Sequence, residues 1–167
     1  MNQILDRDIA AGRRAIEAEA QALRDLAGAL DETFGRAVEV LANVTGRVIL
    51  SGMGKSGHVA RKIAATMASV GTPAQFVHPG EASHGDLGMI TQDDAILAMS
   101  NSGETQELGD LLQYSRRYSI PLVAITSRPD STLAQSSDVH LILPEAPEAG
   151  ILGLAPTTST AMTLALG

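Results

Sequence analysis

The first 45 residues show apolar positions at helical spacing. Ile9, Ile16, Leu23 and Leu30 recur every seven residues with charged residues between them, which predicts a helix over residues 3 to about 28. A second helix is predicted through Phe34 and the apolar positions that follow it. We expect this N-terminal helical segment, residues 1–45, to pack on the rest of the domain or on a partner subunit.

From residue 46 the pattern changes to apolar runs that alternate with helical segments. Strands are predicted at 47–53, 73–78, 95–100, 121–127 and 138–144, and helices at 58–71, at 105–118, shortly after 131 and from 156. Strands that are apolar throughout and alternate with helices are typical of a parallel sheet covered on both faces. The sequence therefore predicts an α/β fold, with a five-stranded parallel sheet in a three-layer α/β/α sandwich over residues 46–167.

Composition narrows the class of protein. The 167 residues are 44% hydrophobic with a mean hydropathy of +0.09, as expected of one globular domain. Cysteine is absent, which excludes disulfides and thiolate chemistry. No apolar run approaches the roughly 20 residues that cross a bilayer, and no signal-peptide pattern opens the chain. We expect a cytoplasmic protein with no membrane partner.

The charge distribution makes nucleic acid an improbable partner. The net charge is −7, the basic residues are scattered, and there are only two Phe, two Tyr and no Trp for base stacking. An acidic chain of this kind binds an anion locally, through backbone N–H groups, a helix N-terminus and a nearby lysine.

The glycine-rich stretch SGMGKSGH, residues 51–58, has the letters of two nucleotide-binding motifs. A P-loop requires a glycine where this chain has Ile49. A dinucleotide loop requires a carboxylate at the end of the second strand, which reads Phe-Val-His at 76–78, and the next acid is Glu81. A dinucleotide-binding oxidoreductase is thus disfavoured. We predict a loop that presents N–H groups and Lys55 to a smaller polar ligand.

A second loop, SNSGET at residues 100–105, follows the third strand. Ser100, Ser102 and Thr105 supply hydroxyl groups and Asn101 an amide around one glycine, just before a predicted helix. Hydroxyl groups beside a helix N-terminus can bind phosphate. The alternative is simple helix capping by Ser102 or Thr105. Capping needs one such residue and the loop has several, so we favour phosphate binding.

Acid–base and metal chemistry are both conceivable in the loop after the second strand. His78, Glu81, His84 and Asp86 lie within nine residues, but the spacing of the two histidines is not typical of a metal site and no third histidine is near. We therefore expect no required metal. General acid–base catalysis by His84 or Glu81 is the favoured role.

Two further carboxylates are candidates for the site. Glu107 lies in the predicted first turn of its helix, where it either complements the helix dipole or faces the ligand. Glu145 and Glu148 follow the fifth strand, and either can be solvated or reach the site.

Three stretches together resemble a known family. Residues 51–90, the SNSGET loop and GLAPTTST at 153–160 look like the sugar isomerase (SIS) domain of arabinose 5-phosphate isomerases. The SNSGET loop marks only the broad superfamily, whereas HPGEASHGDLG together with GMGKSGH is much more specific. The resemblance extends from about residue 46 to the end of the chain.

The resemblance implies a flavodoxin-like SIS fold and the interconversion of ribulose 5-phosphate and arabinose 5-phosphate, on the route to the lipopolysaccharide sugar Kdo. It implies a phosphorylated pentose substrate, no cofactor and a homotetramer whose active sites are shared between subunits. The residues at matching active-site positions are Lys55, His84, Glu107 and Glu148. The residues expected to bind substrate and phosphate are Gly54, Ser56, Ser100, Asn101, Ser102 and Thr105.

Roles follow from the chemistry of isomerisation, which needs a base and a group that stabilises an oxyanion. Glu148 or Glu107 is the expected base, Lys55 the stabiliser, and His84 assists ring opening or hydroxyl protonation, with an inhibitory metal as a further possibility there. Two alternatives stay open. One is a sensor-type SIS module that binds a phosphosugar without turnover. The other is a shortened domain of impaired activity, because relatives continue with a His-containing loop and CBS domains.

Overall fold

The computed structural model describes residues 2–150 and 153–167. Residues 151 and 152, within the loop predicted at 145–155, lie outside the described residues, as does residue 1. Seven α-helices are described: α1 (Asn2–Ala29), α2 (Glu32–Ala42), α3 (Gly54–Ser69), α4 (Pro79–Ser83), α5 (Gly109–Tyr118), α6 (Thr132–Ser136) and α7 (Thr158–Leu166). The strands are β1 (Val48–Gly52), β2 (Ala74–Phe76), β3 (Ala95–Met99), β4 (Leu122–Thr126) and β5 (Val139–Ile142).

The five strands form one parallel sheet in the order β2-β1-β3-β4-β5. This is the flavodoxin-like order, and it confirms the predicted α/β sandwich with a five-stranded parallel sheet. All residues of β1, β3 and β4 are buried. Because both faces of the sheet are covered, these strands are apolar except at their carboxyl ends, where Ser51 and Thr126 are buried.

Each face of the sheet carries its own apolar core. Alternate strand residues such as Leu50, Leu97 and Ile125 pack with residues of α1, α2, α3 and α7 on one face. The intervening residues, among them Ile96 and Ala124, pack with α4, α5 and α6 on the other face. Because successive side chains of a strand point to opposite faces, one apolar strand serves both cores.

The N-terminal helices lie on the α7 side of the sheet. Ala22 and Leu26 of α1 are buried, and α1 contacts α7, while Ala37 of α2 is buried beside β5. Another face of α1 is exposed to solvent, including Ile9 at 53% and Ile16 at 69%. Only part of the apolar surface of α1 is therefore used within the subunit.

The helices differ most from the sequence prediction at three places. Helix α3 begins at Gly54, four residues before the predicted start at His58, so Lys55 lies in the first helical turn and does not project from a loop tip. The predicted loop at 79–90 contains α4 and a 3-10 helix, Asp86–Met89. The helix predicted from Thr105 is divided into a 3-10 turn, Gln106–Leu108, and α5.

No helix within the described part of the chain is long and apolar enough to cross a membrane.

Candidate active site

The reversal of strand order between β1 and β3 sets the position of the site. In sheets of this order the loops after these two strands diverge to opposite faces, which leaves a crevice at their carboxyl ends. Residues Ser51 and Gly52 of β1 pair with Ala98 and Met99 of β3 at this edge. The two stretches singled out in the sequence, 51–58 and 100–105, follow these strand ends directly.

Glycines bring α3 close to the end of β1. A Cβ atom on Gly57 would lie 2.5 Å from the carbonyl oxygen of Gly52, so only glycine permits this approach of helix to strand. Gly54 has a positive φ of 56° and open space around its Cα. Gly57 therefore serves close packing, while Gly54 serves the turn from strand to helix.

A small cleft lies between the start of α3, the SNSGET loop and the start of α7. It has a volume of about 210 Å³. Six of its eight lining residues have polar side chains, and all eight come from these three segments: Met53, Lys55, Ser56, Asn101, Pro156, Ser159, Thr160 and Thr163. The structure thus brings Lys55, Ser56 and Asn101 together in one cleft. The other predicted site residues are not among those that line it: Gly54, His84, Ser100, Ser102, Thr105, Glu107 and Glu148.

Lys55 is the cationic group of this cleft. It occupies the second position of α3, where backbone N–H groups at the helix N-terminus also favour an anion. Met53 precedes the helix and makes no side-chain capping bond. Among the described residues, none accepts a hydrogen bond or an ion pair from Lys55, so its ammonium is available to a ligand.

The SNSGET loop is a compact turn built on buried Ser100. The hydroxyls of Ser100 and Thr105 are 2.7 Å apart, and the Gly103 N–H donates to Ser100 Oγ at 3.1 Å. Ser102 Oγ accepts the N–H of Glu104 at 3.2 Å. Thr105 precedes the 3-10 turn without making a capping bond. Simple capping therefore does not explain the hydroxyl groups of this loop.

Glu148 joins the loop after β5 to the start of α7. Its Oε2 accepts the N–H and hydroxyl of Thr157 at 2.6 and 3.1 Å and the N–H of Ser159 at 3.3 Å. Burial opposes ionisation of Glu148, but the hydrogen bonds from Ser159 and Thr157 outweigh it, so the pKa of Glu148 lies below its ordinary value. Glu148 is a carboxylate at neutral pH, and its Oε2 makes all three of these fold contacts.

His84 and Glu107 are exposed on the opposite side of the sheet from α3. Helix α4, which His84 ends, contacts the 3-10 turn that contains Glu107. Neither side chain has a hydrogen-bond partner within residues 2–150 and 153–167. The structure therefore brings their two elements together but fixes neither side chain.

Metal binding finds no ready site in the described residues. His78 Nδ1 accepts the Gly80 N–H at 3.2 Å and so caps α4. No group of three His, Asp or Glu side chains in the part of the chain described could hold an ion.

A larger cavity, about 700 Å³, lies at the opposite edge of the sheet, beside the amino ends of the strands. Its acids hold the fold together: Asp94 accepts the N–H groups of Arg47 and Thr91, and Asp138 accepts that of Leu122. Ligands of parallel α/β sheets bind at the carboxyl ends instead. We therefore place the candidate site in the smaller cleft.

Sequence reasoning missed the contribution of α7 to this cleft. Ser159, Thr160 and Thr163 line it, whereas the stretch GLAPTTST at 153–160 was noted only for its resemblance to the family. Glu104 was also missed as a structural group. It binds Thr132, 28 residues away, and nothing local in the sequence indicates that contact.

Comparison with known proteins gives the family. The model of the SIS domain family matches residues 41–167. The chain belongs to the SIS domain family.

Several curated relatives have the same name. Arabinose 5-phosphate isomerase KdsD of Salmonella typhi is 50% identical over 157 residues, 94% of this chain and 48% of that protein. Arabinose 5-phosphate isomerase KdsD of Pseudomonas aeruginosa is 50% identical over 167 residues, 100% of this chain and 51% of that protein. The chain spans about half the length of the curated relatives it matches.

Solved structures give the same fold. The Escherichia coli CFT073 protein c3406 in complex with arabinose 5-phosphate has a TM-score of 0.90 and 39% identity, with 99% of this chain and 86% of that chain covered. Vibrio vulnificus NanR complexed with ManNAc-6P has a TM-score of 0.75 and 24% identity, with 99% and 60% covered. At that identity the likeness to NanR shows the fold alone.

Proposed function

We propose that this chain is an arabinose 5-phosphate isomerase that interconverts D-ribulose 5-phosphate and D-arabinose 5-phosphate. The observation that carries the proposal is the cleft itself. It is lined by Lys55 of α3 and by Asn101 of the SNSGET loop, at the edge of the sheet where the strand order reverses. The names of relatives at 50% identity support it. So does the related structure in complex with arabinose 5-phosphate.

The reaction moves one proton between neighbouring carbons. A base takes a proton from C1 of ribulose 5-phosphate, the C–H electron pair forms the C1–C2 double bond, and the C2 oxygen gains a proton to give an enediol. The O1–H proton then leaves as C1 becomes an aldehyde, and C2 gains a proton. No electron leaves the substrate, so no redox cofactor is required.

Glu148 is the favoured base. It is ionised at neutral pH, and its Oε1 is not used by the fold contacts that fix Oε2. Glu107 is the alternative, since it is exposed beside α4 and has no fixed partner among the described residues. A positioned base of this kind contributes about 10²–10⁴ in rate.

Lys55 stabilises the oxyanion that develops at C1 or C2. An ammonium in the first turn of α3 adds to the field of the helix N-terminus, and both favour negative charge. His84 assists ring opening or hydroxyl protonation. A metal bound at His84 would then act as an inhibitor and not as a required cofactor.

The phosphate is bound mainly by the SNSGET loop. Ser100, Ser102 and Thr105 supply hydroxyl groups. Asn101 and Ser56 line the cleft beside them, and Gly54 lies in the same turn as Ser56. Phosphate binding uses these hydroxyl groups together with backbone N–H groups, as helix N-termini do in other phosphate sites. The sugar is then held between the loop and Lys55.

The active form is a homotetramer with active sites shared between subunits. The support is the exposed apolar face of α1, with Ile9, Ile16 and Leu23 at seven-residue spacing. Apolar stripes of this kind usually pack against another helix. We divide the chain accordingly into an N-terminal helical segment, 1–45, and the phosphosugar-binding domain, 46–167. The protein acts in the cytoplasm, in the first step toward Kdo of lipopolysaccharide.

The test is turnover of ribulose 5-phosphate by the purified chain with no added cofactor and with a chelator present. We expect arabinose 5-phosphate to accumulate to an equilibrium mixture, followed by ³¹P NMR. Saturable binding of arabinose 5-phosphate without turnover would instead indicate a sensor-type module. Absence of both binding and turnover would contradict the proposal.

A further inference from the structure

The SNSGET loop is bonded to the segment that joins β4 to α6. The carbonyl oxygen of Asn101 accepts the N–H of Ser127 at 3.0 Å and its hydroxyl at 2.7 Å. The carbonyl oxygen of Gly103 accepts the N–H of Leu133 at 3.0 Å. These backbone acceptors are directed to 126–133 and away from an incoming anion, which suits a loop that binds phosphate with donors.

Glu104 adds a two-point contact between the same two segments. Its Oε1 accepts the Thr132 N–H at 2.8 Å, and its Oε2 accepts the Thr132 hydroxyl at 2.7 Å. The N–H and hydroxyl of Thr132 and the charge of Arg128 hold the pKa of Glu104 below its ordinary value. Glu104 is not the N-cap of α6, because Ser131 caps that helix by accepting the Ala134 N–H. Glu104 binds the Thr132 N–H from a separate segment of the chain.

Gly103 shows how tightly this junction is packed. It has a positive φ of 68°, and a Cβ atom there would collide with the side chain of Ser131. Its N–H bonds back to Ser100 at 3.1 Å. The loop is thus held by Ser100 on one side and by the start of α6 on the other.

We propose that Glu104 is a positioning residue, which clamps the phosphate-binding loop to α6 through Thr132 and so sets the affinity for the phosphorylated substrate. This inference rests on the proposed function for its substrate. A loop already ordered in its binding form loses less conformational entropy when the ligand binds. Glu104 does not line the cleft and takes no part in proton transfer, so its effect falls on binding and not on the chemical step.

The carboxylate position also matters for electrostatics. Glu104 adjoins a loop that receives a dianion, and a mobile carboxylate would repel it. The two bonds from Thr132 hold the charge against α6 instead. Two variants separate the charge from the contact. Glu104→Gln removes the charge but can still accept the Thr132 N–H, whereas Glu104→Ala removes both the charge and the contact.

The experiment compares Glu104→Ala, Thr132→Val and the double variant. We expect Glu104→Ala to raise KM for the phosphosugar about 5–30-fold and to leave kcat within about twofold of the native value. The reason is that the variant loses a charge-assisted hydrogen bond that supports binding and not the chemical step. Thr132→Val removes only the hydroxyl and should raise KM about 2–5-fold. The double variant should resemble Glu104→Ala, because both changes break the same contact.

Asp130→Ala is the matched control. It removes an exposed acid of the same turn that has no bond among the described residues, and we expect its KM to be unchanged.

Binding readouts separate failure of this inference from failure of the proposed function. If the unaltered chain binds arabinose 5-phosphate without turnover, calorimetric Kd values replace KM, and the same ratios are expected. If it binds no phosphosugar, the chain is titrated with inorganic phosphate and the Gly103 amide signal is followed by ¹⁵N NMR. The Kd values for phosphate then give the ratios between each variant and the native chain. Should Glu104→Ala unfold the domain, Thr132→Val and Glu104→Gln carry the test. The inference would be overturned if Glu104→Ala left the affinity unchanged or lowered kcat by the same factor as it raised KM. It would also be overturned if Asp130→Ala raised KM as much as Glu104→Ala does.

Discussion

The carboxylate of Glu148 accepts the backbone N–H of Thr157 at 2.6 Å and thereby joins the loop after β5 to the beginning of α7. The contact fixes Oε2 of Glu148, which also accepts the Thr157 hydroxyl and the Ser159 N–H. Because Ser159 and Thr160 of α7 line the cleft, the same contact also places a wall of the site.

Glu148→Gln should lower kcat by about 10²–10⁴, because the amide cannot accept a proton. Steady-state kinetics with ribulose 5-phosphate measures the effect. Glu145→Gln is the control, as an exposed acid of the same loop with no bond among the described residues, and its kcat should be unchanged. If Glu148→Gln retains full turnover and Glu107→Gln does not, the base is Glu107.

Gly57→Ala should destabilise the domain by about 1–3 kcal/mol, as overpacking does when a backbone atom blocks the new methyl group. It should also lower activity, because α3 carries Lys55 and would move away from β1. Thermal and urea unfolding measure the loss. Gly88→Ala, where nothing lies within 4 Å of the added carbon, is the matched control and should cost much less. Equal stability of the two variants would contradict the close approach of α3.

Asp94→Asn should lower the free energy of unfolding by about 1–3 kcal/mol, because a buried acceptor of several bonds loses its charge. Burial opposes ionisation of Asp94, but bonds from Thr91 and Arg47 and the charge of Arg47 outweigh it, so its pKa lies below the ordinary 3.8. A lowered pKa stabilises the fold above pH 3.8 and loses that effect as pH falls through the folded-state value.

The difference in stability between the native chain and Asp94→Asn should therefore shrink in acid below pH 3.8. Urea titrations at a series of pH values check this, with Asp93→Asn at the exposed neighbouring position as control. A difference that stays constant down to low pH would mean that Asp94 does not act through its charge.

Ile16→Asp should dissociate the oligomer, because it places a charge on the exposed apolar face of α1. Light scattering after gel filtration measures the mass. Val70→Asp is the control, as it changes an apolar residue that is 75% exposed outside α1. If turnover is lost when the mass falls to that of a smaller species, the active sites are shared between subunits. An unchanged mass would show that this face of α1 is not part of the interface.

The fold could be predicted from the sequence because the buried strands are apolar for most of their length and most of the loops are marked by glycine, proline or serine. The start of α3 could not, since Gly54 with its positive φ begins the helix without a capping side chain. Helix α4 was missed for a related reason: it is capped by the ring of His78, a residue that is not a usual cap.

The candidate site divides in the same way. Lys55 and the SNSGET loop follow strand ends, and parallel strands place such ends at one edge, so their meeting was predictable. The bonds of Glu148 to α7 and of Glu104 to Thr132 depend on how separate segments pack. Sequence spacing does not show contacts of that kind.

The most direct test of the account is the source of the proton that C2 gains during turnover in D₂O. With the native chain and ribulose 5-phosphate, ¹H NMR should show arabinose 5-phosphate that carries deuterium at C2. Lys55→Ala should still bind arabinose 5-phosphate through the SNSGET loop but form the product at least about a hundredfold more slowly, as expected for loss of an oxyanion stabiliser. Turnover by Lys55→Ala at the native rate, or no arabinose 5-phosphate from the native chain, would contradict the account.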